Sequence, residues 1–149
     1  MKQIIGSVSH GTLRSQDLLS VFLVTLRELG DTKTVDRINA EIPPKAFKDK
    51  NDEWWSTGEA EEIINGLFDA LDNFAPPFFY FGTHEGDGSD FGFWFSPDAF
   101  EQACLAGEVF KVNGEWPASL PACEYVAKIS DHGNVTLYDK KRNEIWAIV

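Results

Sequence analysis

Apolar residues in the first half of the chain recur every three or four positions; in the second half they alternate or run together. Leu18, Leu19, Phe22, Leu23, Leu26 and Leu29 form one stripe, which predicts an amphipathic helix. Ser15 or Thr12 is placed to cap its start and Gly30 to end it. A second helix fits Thr32 to Ile42, with Val35, Ile38 and Ile42 inward and Pro43-Pro44 as its stop. Residues 45–53 read as a polar connection. Ser56-Thr57-Gly58-Glu59 then has capping-box spacing, and Ala60, Ile63, Ile64, Leu67, Phe68, Leu71 and Phe74 give a third helix a wide apolar face. Ala75-Pro76-Pro77 terminates it.

Two aromatic runs follow, Phe78 to Phe81 and Phe91 to Phe95, separated by a glycine-rich stretch. Both favour strands. Ser96-Pro97-Asp98 starts a short helix ending near Gly107, and Val109 to Val112 with the Asn113-Gly114 turn suggests a small hairpin. Tyr125-Ala127-Ile129, Val135-Leu137 and Ile145 to Val149 read as three further strands of an antiparallel meander. Strand neighbours point to opposite faces, so Phe78 and Tyr80 oppose Phe79 and Phe81, and Phe91, Phe93 and Phe95 oppose Trp94. Both faces of this aromatic hairpin are apolar, which predicts that both are covered. The expected class is α+β, one domain over 1–149, with a helical first half (about 12–75) packed on a mainly antiparallel sheet from the β-rich second half (about 78–149).

Composition agrees with a folded chain and excludes a disordered one: 149 residues, 43% hydrophobic and 13% aromatic. Charge adds more. The net charge is -11, and between Lys50 and Lys111 there are 13 acids and no Lys or Arg. A field of that sign repels nucleic acid and anionic lipid and attracts basic protein surfaces or cations. Direct nucleic-acid binding is therefore not expected. The two cysteines, Cys104 and Cys123, make no disulfide framework. With no signal-peptide pattern and no membrane-length apolar run, the expectation is a cytoplasmic protein without membrane association.

Candidate chemistry concentrates in Gly82-Thr83-His84-Glu85-Gly86-Asp87-Gly88-Ser89-Asp90-Phe91-Gly92. Glu85, Asp87 and Asp90 have the character of hard-cation ligands, but their order does not match an EF-hand. The favoured reading is a polar hairpin loop in which glycines supply positive φ, with no metal and no cofactor. His84 beside Asp87 or Asp90 has the makings of an acid–base pair. Asp90-Phe91-Gly92 is not a kinase motif, because the other kinase signatures are missing. His10, His84 and His132 lack metal-ligand spacing. A second candidate is the polar face of the third helix, where Glu62, Asn65, Asp69 and Asp72 line one ridge. Like charges at these steps are mildly unfavourable, and Asp69 and Asp72 oppose the helix dipole. Either Arg14, Arg27 and Arg37 of this chain neutralise them, the favoured account, or a partner does.

Two stretches, Val8-Ser9-His10-Gly11-Thr12-Leu13-Arg14-Ser15-Gln16-Asp17-Leu18 and Ala75 to Trp94 (APPFFYFGTHEGDGSDFGFW), resemble a group of small uncharacterised proteins from bacteria, phages and plasmids. The resemblance implies a microbial cytoplasm and a mobile-element context, and carries no activity, cofactor or site. The leading expectation is an interaction protein, an inhibitor or nucleic-acid mimic, that binds a basic protein surface through Glu62, Asp69, Asp72, Glu85, Asp87 and Asp90. The alternatives are a metal-dependent or acid–base enzyme centred on His84 to Asp90, and a small-molecule binder using the aromatic hairpin.

Overall fold

A computed structural model describes residues 2–149. The class is α+β: five helices and seven strands in two sheets among the described residues. The chain divides into two units, one running to Phe95 and the other from Ser96 to Val149.

The first unit contains β1 (Gly6–Ser9), α1 (Ser15–Glu28), α2 (Thr32–Glu41), α3 (Pro44–Lys48), a 3-10 turn (Glu53–Ser56), α4 (Gly58–Asp72), β2 (Phe79–His84) and β3 (Asp87–Phe95). The apolar stripes place α1, α2 and α4 as expected, and their caps differ in detail. Neither Ser15 nor Thr12 caps α1. Arg14 holds the cap position without a side-chain bond, and the Thr12 hydroxyl instead accepts from the Arg14 amide and donates to Asp17. In α4 the cap is Thr57, which accepts from the Ala60 amide, one residue after the expected Ser56. Ser56 closes the 3-10 turn, so Glu59 has no Ser56 partner and accepts from the Trp54 indole instead. The polar connection over 45–53 also holds more structure than expected, because Pro44 opens α3 as well as stopping α2.

The sheet order is β1-β3-β2, antiparallel throughout. Its helix-facing side carries Phe81, Phe91 and Phe93, all buried against α1 and α4. Phe22 of α1, fully buried, meets Phe68, Phe81 and Phe91 edge-on at 5.3, 5.3 and 5.9 Å. Such pairs add about 0.5–1.5 kcal/mol beyond the area they bury.

Two sequence expectations for the hairpin are corrected. The glycine-rich stretch is not a long loop: β2 and β3 run through it, with His84 paired to Asp87 and only Glu85-Gly86 turning. None of its glycines has positive φ. Gly92 is there for clearance, since a Cβ on it would run into the Gly6 carbonyl of the neighbouring strand. The second face of the hairpin is mostly buried, as expected, and the alternation that defines it begins one residue later than expected. Tyr80 and Trp94, paired across the strands, are half-buried. Their rings lie along the sheet beside Gly82, with Trp94 Nε1 donating to the Gly82 carbonyl at 3.1 Å and the Tyr80 hydroxyl to the Thr83 carbonyl at 2.9 Å. Phe78 precedes the strand at φ 68°, which ends the alternation expected of it.

The second unit contains α5 (Pro97–Leu105), β4 (Val109–Asn113), β5 (Tyr125–Ile129), β6 (Val135–Asp139) and β7 (Glu144–Ile148), in sheet order β4-β5-β6-β7. Ser96 caps α5 as expected. β5, β6 and β7 form the antiparallel meander. β4 does not form the small hairpin suggested by Asn113-Gly114; it pairs parallel with β5, which requires the longer connection over 114–124. Val126, Ala127, Leu137 and Trp146 fill this unit's core.

Candidate functional site

The carboxylates singled out by the sequence occupy two places in the first unit. Glu85, Asp87 and Asp90 lie on the β2–β3 hairpin, and Glu62, Asp69 and Asp72 on α4. Asp90 shares the β3 face of Gly92 and Trp94, opposite the buried Phe91 and Phe93.

On the hairpin, the acids hold the backbone and its neighbours in place. Asp87 Oδ1 accepts from the Ser89 amide at 2.9 Å and from the Ser89 hydroxyl at 2.8 Å, a local turn of the kind an Asp two residues before a Ser favours. The Ser89 amide and hydroxyl hold the Asp87 carboxyl below its ordinary range, with His84 and His10 adding to the effect. Asp90 accepts from the Ser7 hydroxyl at 2.5 Å, tying β3 to β1. Ser89 extends this tie by accepting from the Gly11 amide at 3.2 Å. Glu85 stands exposed in the turn. His84 accepts at Nδ1 from the Gly86 amide at 3.0 Å and packs edge-on to Trp94 at 4.7 Å. His84 and Asp87 are cross-strand neighbours, yet the Asp87 oxygens bond Ser89 and the imidazole bonds the turn. Among the described residues, no three His, Cys, Asp or Glu side chains come together as a metal-binding group.

On α4, the acids divide. Asp72 is tied internally: its Oδ1 accepts from the Phe81 amide at 2.8 Å, which links the helix end to the edge of β2. Glu61, Glu62 and Asp69 are exposed, and none has a hydrogen bond or ion pair from its side chain among the described residues. Neutralisation by this chain's own arginines, the account favoured from sequence, is overturned. Arg14 lies 3.9 Å from Asp17, and Arg37, which shares a shallow depression with Glu62, bonds Glu41 at 3.2 Å. Arg27 has no ion pair among the described residues. The last turn of α4 carries no basic residue, so Asp69 opposes the helix dipole without compensation.

Sequence reasoning missed Ser7 and Ser89, the partners that make two of the hairpin acids structural. The Asp87-Gly88-Ser89 spacing was a usable signal for one. No local signal exists for Ser7, which lies 83 residues from Asp90. Compared with protein-family models, curated proteins and solved structures, the chain gives no match. No helix is long and apolar enough to cross a membrane among the described residues.

Proposed function

We propose that the chain is an interaction protein that binds a basic surface of a protein partner through the exposed ridge of α4. The observation that carries this reading is the charge of Glu62 and Asp69, which are exposed and have no ion pair among the described residues. Like charges and dipole opposition each cost a few tenths of a kcal/mol, and a partner's Lys or Arg side chains would reverse that sign. Electrostatic steering then accelerates encounter and makes it salt-dependent. The hairpin carboxylates extend the negative field, while Asp87 and Asp90 have structural duties of their own.

The test uses affinity capture at low and high salt, with the native chain and a Glu62→Lys/Asp69→Lys variant, followed by binding of the purified captured protein. A basic protein held by the native chain at low salt, released at high salt and lost by the variant supports the reading. Identical capture by both chains, or capture insensitive to salt, overturns it.

A further inference from the structure

A groove of about 310 Å³ lies between α1, α2 and α3, entirely within the first unit. Its floor is Leu19, Leu23, Val35 and Ala46, and its rim carries Val24 and Phe47, which are 57% and 49% exposed. Trp55 closes one wall. The Trp55 indole N–H is already donated to the Ala46 and Asp49 carbonyls at 3.2 and 3.3 Å, so that wall offers hydrocarbon. Exposed Val24 and Phe47 beside a buried apolar floor form a continuous surface that folding has left open.

The charge of this groove runs against that of the chain. In a protein of net charge -11, its only charged lining residues are Arg27 and Lys50. Lys50 Nζ is 3.4 Å from Asp17 Oδ1, outside the lining, while the Arg27 guanidinium makes no ion pair or hydrogen bond among the described residues. The Asn39 amide, also in the lining, has no side-chain hydrogen bond among them. An apolar trough with one unengaged cation and one unengaged amide is complementary to a molecule with an apolar body and a single anionic end. The volume falls at the lower limit of ligand cavities, about 300–1,000 Å³, which suits a compact molecule better than a helix lying along a groove.

We propose that this groove binds a small apolar carboxylate, its aliphatic or aromatic body on Leu19, Leu23, Val35 and Trp55 and its carboxylate at Arg27. The site is independent of the acidic ridge of α4, so either reading stands if the other fails.

The experiment is a titration of the full chain, labelled with nitrogen-15 for NMR, with 4-phenylbutyrate and, separately, with the neutral 4-phenylbutyramide. The expected result is saturable shifts at the Trp55 indole N–H and at the amides of Ser20, Leu23 and Asn39, with the acid binding more tightly than the amide. Arg27→Gln weakens the acid about two- to fivefold, the range an exposed ion pair supports, and leaves the amide unchanged. Val24→Asp, on an exposed rim position, abolishes acid binding by placing a carboxylate in the groove. Equal binding of acid and amide, insensitivity to both substitutions, or no saturable shift with the acid overturns the proposal. Shifts at these positions with an acidic amphipathic helical peptide but not with 4-phenylbutyrate would make the groove a peptide site instead.

Discussion

The carboxylates of the β2–β3 hairpin and those of α4 carry the same charge and differ in what they hold. Asp87 organises the turn to Ser89, and Asp90 ties β3 to β1 through Ser7. On α4, Asp72 holds the Phe81 amide, while Glu62 and Asp69 hold nothing among the described residues. A count of acids treats all six alike. Their bonds separate three that build the fold, Asp72, Asp87 and Asp90, from three that only add to the negative field, Glu62, Asp69 and Glu85, and only the second kind is free to meet a partner without breaking something.

The hairpin end of this contrast predicts the largest effect. Gly92 gives β1 its place against β3, so Gly92→Ala forces a Cβ into the Gly6 carbonyl, and backbone on both sides cannot yield as a flexible side chain would. Overpacking of that kind costs about 1–3 kcal/mol, with backbone contact placing this case at the upper end, read as a lower urea midpoint. Because it parts β1 from β3, it also removes the Ser7–Asp90 bond. A loss within 0.5 kcal/mol, the scale of an ordinary surface change, would show that the strand junction is looser than its geometry.

The contrast within α4 comes next. Asp72→Ala leaves the part-buried Phe81 amide without its acceptor, a loss of about 1–3 kcal/mol. Asp69→Ala three residues earlier should be neutral or slightly stabilising, since no side-chain bond is lost. Chemical denaturation of the pair of variants measures the difference directly. Equal losses would erase the distinction between tied and free acids on one helix.

Why that distinction escaped sequence reasoning follows from where the partners lie. The faces of α1, α2 and α4 were legible because a helix repeats its environment every turn, and Leu67, Leu71 and Phe22 are buried where their period puts them. The cap of α4 was off by one because Ser56 and Thr57 are both competent, and the choice depends on where the preceding 3-10 turn ends. β1 has no apolar pattern of its own; Gly6 to Ser9 becomes a strand by pairing with β3. The hairpin glycines looked like turn residues, yet Gly92 is set by an interstrand approach. Likewise the parallel β4–β5 pair depends on a strand eleven residues beyond the Asn113-Gly114 turn. Apart from the α4 cap, each miss involves a partner distant in sequence. The freedom of Glu62 and Asp69 was of the same kind, because it required knowing that Arg14 and Arg37 are engaged elsewhere.

Asp87 gives a pH-dependent form of the comparison. Its carboxyl is held below the ordinary value of 3.8, first by the Ser89 amide and then by the Ser89 hydroxyl. A depressed folded pKa means stability present above the unfolded value and lost as pH falls through the folded one. The native chain should therefore be more stable than Asp87→Ala at neutral pH, with the gap constant down to about pH 4 and closing below it. Thermal unfolding at a series of pH values measures this. A gap that persists unchanged at the acid end would mean that the Ala variant loses packing rather than the charged hydrogen bonds.

The smallest effect has the most informative sign. Asp69 lies in the last turn of α4, where no basic residue offsets the carbonyl end of the helix, and Asp72 lies three positions on. Asp69→Lys replaces an unfavourable dipole interaction with a favourable one and turns a like-charge pair into an opposite one. Together these are worth about 0.3–1 kcal/mol at low ionic strength. The variant should melt slightly higher than the native chain in dilute buffer, and the gain should shrink as salt screens it. If α4 docks on a basic surface, the same substitution weakens that association most in dilute buffer. Stability and binding then move in opposite directions with one side chain, as expected where an acid is retained for a partner at the expense of its own helix. A variant that is both more stable and equally well bound would leave Asp69 as a solubilising charge. A variant that is less stable would mean that Asp69 has an internal partner, and the division between tied and free acids would have to be redrawn.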